Sequence, residues 1–303
     1  MILFSLLIIS ILTLSLVRFS VLEIMAPVAE KAHLYCLANL PQSSTSISEL
    51  KALVCAQNFT NLSDSQFYIS SGLIHLFVVS GAHLILIEKL LNKFNIHQNL
   101  IFIIILIYSF ACNLNAPVVR CLLAFALNAY FTSKNIRWPA HFKLLIVGLL
   151  TLGFNFVWIT SLSLQMSWLA AFLVVLGEHF YKEASLLFKQ SLFFITLLPC
   201  IVFFQIPGPV VILLNIILAP VLEFILFPLG LVVWFFNFMS PLFDFLISIF
   251  KFILQSLELD FQIQTKDLPP DLVFYNWCLI FLLHAAFHLI HVRKKRKNLL
   301  YEN

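Results

Sequence analysis

The chain has 303 residues, of which 61% are hydrophobic and 11% charged, with 33 Phe and a formal net charge of +4. Soluble domains carry about 45–50% apolar and about 25% charged residues, so this composition excludes a soluble globular enzyme and a single-anchor protein. Long apolar blocks separated by short polar ones favour helices over a barrel, which needs alternating segments of roughly ten residues; they predict an all-α polytopic transmembrane bundle with some short or broken helices.

Ile2 to Leu22 is the first apolar run. It lacks a positive n-region and a small-x-small cleavage site, so it is read as a retained transmembrane helix rather than a signal peptide. Ala26 to Ser71 is polar, with Pro41 and a Ser/Thr cluster, and is expected as an external loop holding a short helix around Ile47 to Asn58. Gly72 to Leu91 is the next apolar helix. Leu100 to Cys112 and Val118 to Phe131 are shorter than the roughly 20 residues a crossing needs. Asn113 to Pro117 separates them, which predicts a tight hairpin or a broken pair. Leu144 to Ile159, Leu162 to Phe180, Leu192 to Phe204 and Val210 to Phe236 come next, the last two hinged at Pro207-Gly208-Pro209. Pro241 to Leu257 is apolar but holds Asp244 and Lys251, and is read either as a span or as an amphipathic interfacial helix. Leu272 to Val292 is the last apolar run and leads into Arg293-Lys294-Lys295-Arg296-Lys297.

Charge sets the expected orientation. With the amino terminus inside and about ten crossings, twelve Lys and Arg fall on the cytoplasmic side and only Lys31, Lys51 and Lys266 outside. An interfacial Pro241 to Leu257 would instead place the basic tail outside. The net charge is no nucleic-acid signal by itself, because loop cations are what membrane topology demands. Cys112, Cys121, Cys200 and Cys278 lie in apolar segments and read as packing residues. Cys36 and Cys55 flank the polar loop, where a disulfide is compatible with an oxidising exterior.

The stretch from Ser71 to Leu84 organises the rest. Gly72, His75, Val79 and His83 share one face of a continuous helix, with Ser80 and Gly81 beside them. Polar groups at membrane depth mark substrate paths or protein-packed interiors. The pattern G-x-x-H-x-x-x-x-S-G-x-H resembles the signature of the ComEC family, the competence-type DNA-uptake channels of the bacterial inner membrane. Asn115 to Cys121 resembles that family's Pro-x-x-Arg segment. Ser161 to Ala170 resembles its Ser-rich helix, and Asn215 to Pro220 its Asn-x-x-x-x-Pro helix. The resemblance runs from about Ser71 to Leu231. Together with the apolar runs and charges, it divides the chain into four parts: a first transmembrane helix over 1–25, an external loop over 26–70, a competence-type channel core over 71–236, and amphipathic or transmembrane helices with a basic cytoplasmic tail over 237–303.

The implied function is passage of single-stranded DNA through the inner membrane. Partners then include membrane lipids, a separate nuclease, a periplasmic DNA-binding protein and a cytoplasmic helicase or ATPase. The pore path is expected at His75, Ser80, Gly81, His83, Arg120, Gln165, Asn215 and Glu223. Arg120 reads either as a phosphate contact or as the partner of Glu88, Glu178 or Glu223. Gln165, Ser163 and Ser167 read as interhelical hydrogen-bonding residues, and Glu223 as the partner of Arg120 or a proton-carrying carboxylate. His284, His288 and His291 share a helix face with no acidic or Cys ligand near, so no metal is assigned. No cofactor is expected. There is no Gly-Lys-Ser/Thr phosphate loop and no H-x-H-x-D-H nuclease motif, so the chain is expected not to be an enzyme. Two other readings stand beside the channel: a secondary transporter of a small solute and a non-transporting membrane scaffold.

Overall fold

The computed structural model describes residues 21–59, 68, 73, 77, 81–180, 183–201, 216–256 and 270–301. Among them there is no strand. The first apolar run (1–20), His75, Ser80, the Pro207-Gly208-Pro209 hinge and Asn215 lie outside the described residues.

The helices are α1 (Val21–Ala38), α2 (Ile47–Cys55), α3 (Gly81–Lys93), α4 (Gln98–Ala111), α5 (Ala116–Ser133), α6 (Ala140–Phe154), α7 (Leu162–Phe180), α8 (Leu186–Ile201), α9 (Ile216–Phe235), α10 (Ser240–Ser256) and α11 (Pro270–Tyr301). Among the described residues four stretches are long and apolar enough to cross a membrane: α5, α9, Asn237–Ser256 and Val273–Arg293. With 32 residues, α11 is about 48 Å long at 1.5 Å per residue. That exceeds the hydrocarbon core of about 30 Å, so its basic end projects beyond it.

The expected hairpin is formed by α4 and α5. Asn113 and Leu114 take positive φ of 55° and 45°. The Leu114 amide donates back to the Ser109 carbonyl at 3.0 Å, closing α4. A left-handed non-glycine residue costs roughly 1–2 kcal/mol; burial of the Leu114 side chain, with Ala29 and Val119, offsets that strain. Pro117 then sits in the first turn of α5, where its missing N–H is harmless.

Most described residues of the stretch expected as a loop are helical. Its first half is the end of α1, which packs along α4 and is tied there by His33 Nδ1–H donating to the Ala111 carbonyl at 2.9 Å. Its second half holds α2, buried rather than solvated. Leu50, Leu53, Val54 and Cys55 are enclosed by α9 and α10. Three connections hold α2 to α1 and α10. Cys36 and Cys55 are joined by a disulfide with Cα atoms 5.9 Å apart. The Asp244 carboxylate of α10 accepts from Ser44 Oγ (2.6 Å) and from the Thr45 and Ser46 amides (3.1 Å each), capping α2 from another helix. Lys251, two turns along α10, pairs with the fully buried Glu49, whose other contacts are the hydroxyls of Tyr68 and Ser48. The two charges that made α10 ambiguous in sequence are therefore its fastenings to α2.

Two apolar cores meet at α5. One gathers α2, α3, α9 and α10 with Val118 and Cys121 of α5. The other gathers α6, α7, α8 and α11 with Ala116 of α5. In the second core the Trp168 ring lies against Gly148, where an added Cβ would fall 2.2 Å from it. Its Nε1–H donates to His284 Nε2 at 3.0 Å.

These fastenings set the stability of two variants. Gly148→Ala drives a methyl into the Trp168 ring and is expected to cost about 1–3 kcal/mol, whereas Gly153→Ala on the same helix, with open space around it, is neutral or better; thermal unfolding of the purified protein in detergent compares them. Lys251→Met alone strands the Glu49 carboxylate and is expected to cost about 3 kcal/mol. The Glu49→Gln/Lys251→Met double variant recovers most of that loss in denaturant titration.

Candidate functional site

Arg120 sits in the second turn of α5, only 7% exposed, at the seam between the two cores. Its neighbours come from helices on either side: α5 packs against α3 and against α7. The Arg120 Nε–H donates to Ser167 Oγ of α7 at 2.9 Å. On the other side lies Gly81 at the start of α3, where a Cβ would stand 3.3 Å from Arg120 Nη2 and 3.3 Å from Cys121 Cβ. The Cys121 thiol donates to the Gly81 carbonyl at 3.4 Å, holding α3 and α5 together at this point. A small residue is favoured here because the guanidinium and Cys121 crowd the space a side chain would fill.

The serine takes the Nε edge of the fork. The two Nη groups have no carboxylate or hydrogen-bond acceptor among the described residues. In particular neither Glu88 nor Glu223 lies within ion-pair distance of Arg120, and the Glu178 side chain lies outside the described residues. A guanidinium offers donors in a planar fork that matches a phosphate or carboxylate. The amino end of α5 adds a partial positive charge to the same place. The arrangement can therefore hold an anion, and the anion must reach the Nη edge.

His83, two residues into α3 from Gly81, is buried, with its ring 4.2 Å from that of Phe227 between centroids. Phe227 comes directly after a π-helical turn, Leu222–Leu226, inside α9. The cause of that turn is Pro228. It supplies no N–H, so the ladder shifts and the Phe227 amide bonds five residues back to the Leu222 carbonyl. Glu223 sits in this turn, half-buried.

The residues predicted for a path thus fall into three settings. Gly81 and Arg120 touch, and His83 joins them through α3. Glu223 occupies the interrupted turn beside Phe227. Gln165 is fully buried in the α7–α11 interface: it donates to the Val273 carbonyl (3.1 Å) and accepts from Asn276 Nδ2 (3.1 Å). It is two residues from Ser167 and thus on the opposite side of α7. Ser167 is the residue missing from the predicted path. The second serine of the Ser-rich helix, set against a buried arginine in need of an acceptor, was the available signal. The interhelical role expected for Ser163 falls instead within its own turn, where its hydroxyl meets that of Ser161 at 2.9 Å. Away from this region, His141 Nε2 and His288 Nδ1 share a hydrogen bond at 3.3 Å. No metal-binding group of three ligands forms among the described residues.

A family model described as competence protein matches residues 53–291. The chain belongs to the competence protein family. The match spans the described core from α2 to the end of the last apolar helix, and it agrees with the ComEC-type resemblance of the Ser71 to Leu231 segment. Neither a curated protein nor a solved structure matches the chain. Together with the four helices able to span a bilayer, the family makes this a membrane protein with a role in DNA-uptake competence.

Close packing at Gly81 gives a graded expectation. Gly81→Ala needs a shift of a few tenths of an ångström and should cost under about 1 kcal/mol, while Gly81→Val should cost about 1–3 kcal/mol. Thermal unfolding of both variants tests this, and a Val variant as stable as the parent contradicts the contact.

Proposed function

We propose that this competence-family membrane protein passes single-stranded DNA across the bacterial inner membrane. The observation that carries the reading is Arg120. A buried guanidinium is costly at membrane depth, by about 2.5 kcal/mol or more, and this one has its Nε edge fixed and its Nη edge uncommitted among the described residues. A backbone phosphate supplies the bidentate acceptor that edge lacks. One strong cation at the seam of two bundles suits passage better than a row of them, because conduction needs binding weak enough to release. Base faces are flat and sequence-independent, and the chain's abundant Phe offers stacking platforms of the kind single-strand binders use.

In this reading the passage runs along the seam at α3, α5 and α7. The Arg293 to Lys297 run lies in the cytoplasm, in keeping with the cation asymmetry. The chain performs no chemistry on the strand. Strand degradation and pulling fall to a separate nuclease and a cytoplasmic helicase or ATPase, and delivery to a periplasmic DNA-binding protein.

The test is transformation frequency, with internalised DNA tracked, in strains carrying variants at parental abundance. Charged hydrogen bonds are worth about 1.5–3 kcal/mol, so Arg120→Ala should lower uptake about 10- to 100-fold. Arg120→Lys should recover only part, because an ammonium keeps the charge and loses the fork. Parental transformation by Arg120→Ala overturns the reading. Normal transformation with loss of a small solute's uptake points to a solute transporter instead.

A further inference from the structure

We infer that Glu223 is a proton-binding site within α9, carried as a carboxylic acid in the span and exchanging its proton at the interrupted turn. This stands apart from what the protein passes, since it rests on α9 alone and on what surrounds it.

Three observations converge. First, Glu223 lies inside a 20-residue stretch, Ile216–Phe235, apolar enough to cross a membrane. An ionised carboxylate at such depth needs a cation. Among the described residues no Lys, Arg or His is within ion-pair distance of it, and no hydrogen bond is made to it. Second, the charged and titratable groups of the described helices around it are engaged elsewhere or out of ion-pair distance. On α10, Asp244 is held by Ser44, Thr45 and Ser46, and Lys251 by Glu49. From α2 come Glu49, in that same pair, and Lys51, which does not reach Glu223. From α4 comes Tyr108, whose hydroxyl donates to the Val54 carbonyl at 2.8 Å. From α3 comes His83, packed on Phe227.

Third, the turn supplies an acceptor. The Glu223 carbonyl would normally accept from the Phe227 amide, but that amide bonds Leu222. The next residue in line, Pro228, has no N–H. One carbonyl is thus left without its intrahelical donor in the turn that bears the carboxyl. The open carbonyl is an acceptor for a water that delivers a proton in this turn, whereas the Glu223 side chain itself leans toward the amino end of the helix, away from that carbonyl. Half-burial leaves the carboxyl reachable rather than sealed.

The inference is tested with N,N′-dicyclohexylcarbodiimide, applied to the full-length protein in its native membrane. The neutral acid adds its O–H across one C=N bond of the reagent, and the acyl group then migrates to nitrogen, leaving a stable N-acylurea that carries the whole reagent mass. A carboxylate does not start this sequence. Mass spectrometry of the α9 peptide should show the adduct on Glu223, falling about tenfold for each pH unit above the midpoint of its titration. Glu223→Asp should keep pH-dependent labelling, and Glu223→Gln should abolish it. Added sodium chloride should leave it unchanged. Absence of the adduct at every pH, labelling that ignores pH, or protection by sodium (a cation site rather than a proton site) each overturns the proposal.

Discussion

A guanidinium inside an apolar bundle forces its surroundings to accommodate it, and Arg120 does so at the junction of two cores. Its Nε is fixed by Ser167 on α7, and its far end is pressed on Gly81 of α3. Those contacts tie the bundle of α2, α3, α9 and α10 to that of α6, α7, α8 and α11, through a helix that contributes to both. The interaction is directional. A lysine would not present a planar edge, and a larger residue at 81 would displace the fork. The result is an electropositive point between two packed bodies, in a protein of the competence family.

The rest of the fold keeps that point in place. The Cys36–Cys55 disulfide, the Asp244 cap and the Glu49–Lys251 pair fix the short helix α2 against α9 and α10. Through Val54, α2 meets Gly230 of α9, a few residues beyond the π turn on which His83 rests. On the other side, Trp168 is locked between Gly148 and His284, and Gln165 joins α7 to α11. Each core is thus polar at a few buried fastenings and apolar elsewhere. Such buried hydrogen bonds and ion pairs specify one packing over others, since a mispaired alternative strands a charge or an amide.

The fold class and the α4–α5 hairpin were legible because they rest on composition, segment length and the Asn-Leu-Asn-Ala-Pro break. The prominence of Arg120 was legible because a charge in an apolar run stands out in any sequence. Its partner was not: Glu88 and Glu223 were chemically plausible, and only the packing of α7 against α5 brings Ser167 to it. The burial of α2 was hidden for a related reason. Ile47–Cys55 carries Glu49 and Lys51 and reads as surface, and its acid is accommodated by Lys251, on a helix distant in sequence, together with the hydroxyls of Tyr68 and Ser48. The π turn was not legible in advance, because a proline such as Pro228 announces a break and not its register.

The most direct measurement is photo-crosslinking of a strand arrested during uptake, with photoreactive bases along its length and adducts mapped by mass spectrometry. Adducts on peptides around Gly81, Arg120 and Ser167 are the result expected. Adducts confined to other helices, with that junction unmodified while the strand reaches the cytoplasm, would contradict a passage along the seam.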